Sequence, residues 1–437
     1  MTEQNNSANS TLTKGQRWVR GLATAFMLVA GTSALGYVVV EASKETWLVD
    51  GAADGDMYQM KRAIYFGANI NSWAGGEALI DAARNGHKDA VVFLLDNGVK
   101  PDVNGYFALY EAAHYGHIDV VQEFLDRGVD INAPTTLGGH FSMLAAAAGG
   151  KQTETVKWLL SKGIDVTIDG GHALEMAASH GDTEMTKALL DAAVSPGAKA
   201  VVLGTGQGAL VNAAGNGHTE TVALLLERGA DIHGQNDEAI RRAAANNRHE
   251  TVTFLADLGG SQRALHEGKL ISAARKGDLS GMDAILAQYP DILETAGKEA
   301  LRDAAYNGQK AFVETLLGKG VNSPEAVGGA VIHAAFTNQA EIAELLLNTG
   351  VNLNNLDYSP LNQGLYIAAQ ESGIETVKVL LSHGADPENT DMAASVSPLE
   401  MVKQMQGQKD GFGEILDLFE EHIAKKKVIQ TPQAPAP

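Results

Sequence analysis

The sequence predicts an all-α chain: a solenoid of about eleven stacked helix–turn–helix repeats plus a C-terminal cap, preceded by one transmembrane helix. Three observations carry this expectation. A pair of small residues returns every 30 to 36 residues, starting at Gly51, Ala82, Ala112, Ala147, Ala177, Ala213, Ala243, Ala273, Ala304, Ala334 and Ala368. A Gly or Asn stands four residues after most of these starts, and a second Gly sixteen residues after most of them. Ahead of them all, residues 21–40, "GLATAFMLVAGTSALGYVVV", carry no charge. A period in this range marks a stacked array, because one such unit cannot bury its apolar face alone.

Taken in order, residues 1–20 are rich in Asn, Ser and Thr and are expected to be a disordered cytoplasmic N-terminus. The uncharged run of residues 21–40 is the predicted transmembrane helix, since twenty residues at roughly 1.5 Å each span about 30 Å, a bilayer's hydrocarbon core. Lys14, Arg17 and Arg20 precede it, and Glu41, Lys44 and Glu45 come after it. The positive flank should stay in the cytoplasm. This makes the chain a single-pass membrane protein, with its repeats on the periplasmic side of a bacterial inner membrane. A cleaved signal peptide is the first alternative, with Val40 and Ala42 suited to a processing site, but its apolar region should be only about 7–15 residues. A buried core helix is the second, although apolarity on every side suits a soluble fold poorly. An inverted anchor that leaves the array in the cytosol stays open.

The array is expected over residues 45–424, and each fixed position has a physical meaning. Paired alanines let helices of neighbouring repeats approach closely. Four residues on, Gly55, Gly86, Gly116, Gly181, Gly217, Gly277 and Gly308, with Asn247 and Asn338, suit a left-handed backbone that ends the first helix; only Lys151 and Ser372 depart. Apolar pairs such as Leu94–Leu95, Leu189–Leu190 and Leu316–Leu317 mark the buried face of a second helix. Three longer intervals add loops near 133–140, 194–208 and 352–364. The middle one, "VSPGAKAVVLGTGQG", lacks the Gly-Lys-Ser/Thr ending of a phosphate-binding loop and is read as a rim insertion.

With "LIDAARNGHKDAVVFLLDNGVKPD" (79–102), "LYEAAHYGHIDVVQEFLDRGVDIN" (109–132) and "LVNAAGNGHTETVALLLERGADIH" (210–233), the chain resembles the ankyrin-repeat family. The resemblance implies an ankyrin-repeat solenoid that binds a protein partner in a concave face. The family's Thr-Pro-Leu-His opening is replaced by "EALID", "GALVN", "EAIRR" or "EALRD", and only Ser397-Pro398-Leu399 survives near the end. Its polar tie between repeats and its projecting β-hairpin fingers are therefore expected to be missing from most units. Residues 45–71 and the stretch after Pro398 read as caps. The Lys425–Lys427 run is read as a solvated helix end and residues 425–437 as a disordered tail.

On each first helix, the residue before the small pair and the two after it should face the partner. Arg242, Arg275 and Lys276 then form a basic patch on an acidic chain, followed by Tyr306, His333 and Phe336. Interfaces concentrate energy in aromatic and arginine anchors, so these six are the candidate partner-binding residues. The bland reading is that the aromatics pack on neighbouring loops and the bases pair with nearby acids.

Composition excludes other functions. Acidic residues outnumber basic ones, 53 to 33, for a net charge of −20. That opposes nucleic acid, which is held by Lys and Arg on phosphates. No cysteine is present, so there is no disulfide, thiolate metal site or Cys nucleophile. His87, His117 and His218 recur in Gly-His turns, and such recurrence marks structure rather than catalysis. His249–Glu250 and His266–Glu267 lack a second His at zinc-site spacing. The sequence implies no metal, no cofactor, no evident small-molecule substrate and no enzyme. It points to a membrane-anchored protein-binding scaffold or adaptor, or alternatively to an inhibitor or immunity protein blocking a basic envelope hydrolase or toxin.

Overall fold

A computed structural model describes residues 34–102, 106–132, 142–169, 171–204, 207–353, 356–390, 396–405 and 410–430. Every regular element among them is a helix. The fold is an array of helix pairs, and they gather into two compact units: residues up to 210 with 220–230, and residues 211–219 with those from 231 onward.

In the first unit the pairs are α1 (Ala34–Asp54) with α2 (Met57–Tyr65), α3 (Trp73–Arg84) with α4 (Lys88–Asp96), α5 (Phe107–His114) with α6 (Ile118–Asp126), α7 (Met143–Gly149) with α8 (Thr153–Ser161), and α9 (His172–His180) with α10 (Thr183–Ala192). A short α11 (Pro196–Gly204) precedes α12 (Gln207–Asn216) and α13 (Thr219–Glu227). The second unit continues with α14 (Gly234–Ala245), α15 (His249–Asp257), α16 (Gln262–Lys276), α17 (Leu279–Gln288), α18 (Leu293–Tyr306), α19 (Lys310–Gly318), α20 (Pro324–Phe336), α21 (Ala340–Leu347), α22 (Pro360–Gln370), α23 (Ile374–Ser382), α24 (Pro398–Met405) and α25 (Phe412–Gln430).

The local code works as read. Ala82, Ala83, Ala112, Ala113, Ala304 and Ala305 are fully buried where successive first helices meet. The residue four after each start adopts positive φ, and the two departures comply as well: Lys151 at φ 61° and Ser372 at φ 58°. Serines cap several first helices, with Ser142, Ser261 and Ser323 each accepting from the amide three residues on. Asp56, Asp182 and Asp278 cap second helices in the same way. Leu94, Leu189 and Leu316 fill the core beneath them.

A different polar tie joins neighbouring repeats. The residue after the left-handed turn reaches back to a carbonyl at the end of the previous first helix: His87 Nε2 to Ala53 O at 3.1 Å, and His117 Nε2 to Arg84 O at 3.0 Å. In the second unit Arg248 Nε does the same to Gly215 O at 3.1 Å, and Gln309 Nε2 to Arg275 O at 3.3 Å. These bonds satisfy helix-end carbonyls that would otherwise lack a partner, and they explain why histidine recurs in the turns.

Three expectations need adjusting. The 194–208 insertion is largely helical rather than a loop: Ser195 Oγ accepts from Ala198 N at 3.0 Å, Pro196 opens α11, and Val202 is buried. The predicted tail boundary falls inside α25, which runs on to Gln430 with Phe412, Ile415 and Phe419 in the core. Lys426, read as solvated, pairs with Asp386 at 2.8 Å. Residues 21–33 of the uncharged run, the 133–140 insertion and residues 431–437 lie outside the described residues; residues 34–40 open α1. Among the described residues no helix is long and apolar enough to cross a membrane.

Candidate functional site

The six candidate residues all belong to the second unit, where they sit on α14, α16, α18 and α20. Helix α14 begins irregularly: Gln235, Asn236 and Asp237 form a left-handed turn at φ 51–60°. Asp237 holds that turn, its Oδ1 lying 2.7 Å from His233 Nδ1 and accepting from Ser261 N at 3.3 Å. Regular helix then starts at Glu238, a buried carboxylate that accepts from both Arg241 and Arg242, the latter at 2.9 Å. Arg241 also reaches Glu299 at 2.5 Å. Burial works against its charge, yet the bonds to Glu299 and Glu238 outweigh it and raise its pKa. Arg242 keeps its outer half exposed.

Arg275 is more committed. Its Nε donates to Asp303 Oδ2 at 2.5 Å, and its Nη1 donates to Asn246 Oδ1 at 2.9 Å and Ala245 O at 3.1 Å. One guanidinium thus ties α14, α16 and α18 together. Lys276 Nζ donates to Asn247 Oδ1 at 2.8 Å, an acceptor shared with Ser272. The three bases are therefore engaged by Glu238, Asp303, Asn246 and Asn247, as the bland reading anticipated, with Arg242 and Lys276 still reaching solvent.

The aromatic half assembles differently. Tyr306 ends α18 and Phe336 ends α20, and their rings stack at 5.9 Å with 28° between planes. They remain 41% and 51% exposed, so the pair is a surface feature rather than core. His333 meets Tyr306 edge-on at 6.2 Å, with its Nδ1 2.8 Å from Gly329 O. Thr337 Oγ1 donates to Tyr306 O at 2.8 Å and fixes the two helix ends side by side. These aromatics lie on each other across neighbouring repeats.

Sequence reasoning placed Asn246 and Asp303 on the partner-facing positions and Asn247 in the turn without their bonds to the bases, and it missed Glu238. It also missed a cleft of about 400 Å³ beside Lys276, whose lining includes Asn247, His249, His266, Lys269 and Ser272. Glu238 and Asp303 stood in plain view, five and one residues ahead of alanine starts, but partner choice is invisible before folding. Among the described residues no cluster of His, Asp or Glu could hold a metal.

The repeat geometry agrees with comparison to known proteins. The family model "Ankyrin repeats (3 copies)" matches residues 48–135, 174–264 and 301–391. The chain belongs to the ankyrin-repeat family. A second ankyrin model, "Ankyrin repeats (many copies)", matches residues 143–190. Among similar proteins, the ankyrin repeat and KH domain-containing protein mask-1 of Caenorhabditis elegans is 27% identical over 263 residues, covering 56% of this chain and 10% of that protein. The mouse (Mus musculus) ankyrin repeat and SOCS box protein 6 is 29% identical over 142 residues, covering 31% of this chain and 34% of its own. The potassium channel AKT2/3 of Arabidopsis thaliana is 21% identical over 194 residues, 36% of this chain and 24% of the channel. The ankyrin chain thus spans between a tenth and about a third of these relatives' length. Ankyrin-repeat proteins are generally non-enzymatic binding scaffolds, and the family implies protein–protein interaction.

Proposed function

We propose that this ankyrin chain is a membrane-anchored binding scaffold that holds a protein partner on the first-helix, concave face of its second unit. The observation that carries the proposal is the exposed Tyr306–Phe336 stack. Two aromatic side chains from neighbouring repeats are presented together and held by Thr337, with Arg242 and Lys276 on the preceding first helices α14 and α16. Such a rigid aromatic pair in a polar surround has the make-up of a binding hot spot. Photo-crosslinking in cells from position 336 tests it. A single protein adduct that weakens in Lys276→Ala supports the site, and good expression without an adduct removes it.

The anchor is residues 21–40, and the flanking Lys14, Arg17 and Arg20 favour a periplasmic array. The compartment rests on these charges alone, since the similar proteins come from animals and a plant. A C-terminal reporter active only in the cytoplasm would sink it. A second reading, inhibition of a basic envelope enzyme or toxin, is favoured by the excess of acidic residues, which steers basic partners. Deletion that leaves cells no more sensitive to such enzymes would discard it.

A further inference from the structure

The first repeat has an outer face that the binding role does not use. Four exposed large hydrophobic side chains, Tyr58, Tyr65, Phe66 and Trp73, fall within one short stretch, whereas elsewhere among the described residues such side chains are scattered. Phe66 packs edge-on against Trp47 at 6.0 Å and Tyr65 against Phe66 at 5.4 Å. The Arg62 guanidinium lies over the Trp47 ring at 4.6 Å. From Met57 to Gly76 there is no acidic residue, while Lys61 and Arg62 are both exposed, on a chain whose net charge is −20.

Position decides what covers this face. Helix α1 is continuous from Ala34 to Asp54, so the end of the uncharged run and Trp47 share one helix. Trp47 stands seven residues past Val40, about 10 Å along the axis. Helix α1 packs along α3. Trp73 precedes its alanine pair by nine residues, as Ala42 precedes Gly51, which sets Trp73 level with Ala42, about 3 Å past the uncharged run. A bilayer's polar layer extends roughly 5–7 Å beyond each side of its hydrocarbon core. Trp73 falls inside that layer, and Trp47 lies about 3 Å beyond it, with Phe66 and Tyr65 clustered on it. Trp and Tyr favour this zone, and Lys and Arg there meet lipid phosphates.

We infer that the first repeat and the opening of the second dock on the phospholipid surface, with Trp73 among the headgroups, Tyr65 and Phe66 at their outer margin, and Lys61 and Arg62 toward the phosphates. The array is then seated on the membrane rather than swinging from a tether. This rests on residues 21–40 being the anchor.

The test uses the full chain in phosphatidylethanolamine–phosphatidylglycerol vesicles containing lipid brominated near the glycerol end of its acyl chains. Two single-tryptophan variants are compared, one keeping Trp73 and the other Trp158, with the remaining tryptophans changed to Phe. Emission from Trp73 should be quenched at least about twofold and that from Trp158 little, as an interfacial belt requires. Tyr65→Ser with Phe66→Ser should relieve the quenching while the chain stays carbonate-resistant. A carbonate-resistant chain with Trp73 unquenched overturns the docking and leaves the anchor standing; if it also associates with rising concentration, a second copy covers the face. A chain that carbonate extracts brings down the anchor, and the lipid face with it.

Discussion

The two units use the same inter-repeat salt bridge and then diverge. Arg84 stands two residues after its alanine start and pairs with Glu111, one residue before the next start, at 2.8 Å. Arg275 and Asp303 occupy the equivalent positions in the second unit, at 2.5 Å. Burial opposes the Arg84 charge, but Glu111 and Asp81 outweigh it and raise its pKa. The aromatic residues beyond the bridge are arranged differently. In the first unit Phe107, Tyr110 and His114 stack along one helix, with Tyr115 edge-on to His114. In the second, Tyr306 and Phe336 come from different repeats. A ladder within one helix forms from local sequence, whereas a stack across repeats exists only while the array is assembled. The shared bridge is scaffold, and the cross-repeat stack is the feature on which the proposal of a binding surface in the second unit rests.

The comparison can be broken or sharpened by experiment. The largest effect should come from Tyr306→Ala with Phe336→Ala, weakening a captured partner roughly a hundredfold, with Tyr115→Ala leaving affinity unchanged. Equal losses from both would erase the difference between the units. Gly86→Ala should cost about 2–3 kcal/mol in urea unfolding, because a side chain there is strained at φ +73° and its Cβ would lie 2.5 Å from His117 Nδ1. Arg84→Ala and Arg275→Ala should each cost about 2 kcal/mol, since each leaves a carboxylate without its partner. A large inequality there would show that the bridges are not equivalent.

Lys151→Gly should stabilise by up to about 1 kcal/mol, as relief of a left-handed lysine exceeds glycine's extra chain entropy. The smallest effect concerns Asp386. Burial pushes its pKa up, but Lys426 and the Glu388 amide outweigh it and hold it below the usual range. Its contribution is therefore present above the unfolded aspartate value near about 4 and is lost as pH falls through the lower folded value. Melting of α25 in acid should show this, and Lys426→Ala should flatten it.

The repeat, its turns and its buried alanines were legible because they are local: period, left-handed positions and helix caps are each set by a few neighbouring residues. Even Lys151 and Ser372 adopt the turn, since stacking on both sides overrides their own preference. The Val202 helix was missed because the longer interval between repeats was read as a loop, while burial of Val202 came from tertiary packing. The six candidate residues were chosen by their repeat position, and the structure places them on the first helices α14, α16, α18 and α20.

The sequence by itself determined the family, the helix order and the left-handed stop that ends the first helix of each repeat. Only the tertiary structure decided that Arg275 is a tie and the Tyr306–Phe336 stack an exposed surface, because side-chain pairing across repeats about thirty residues apart depends on distances that exist only after stacking. It decided likewise that Trp47, Arg62 and Phe66 form one cluster on the first repeat.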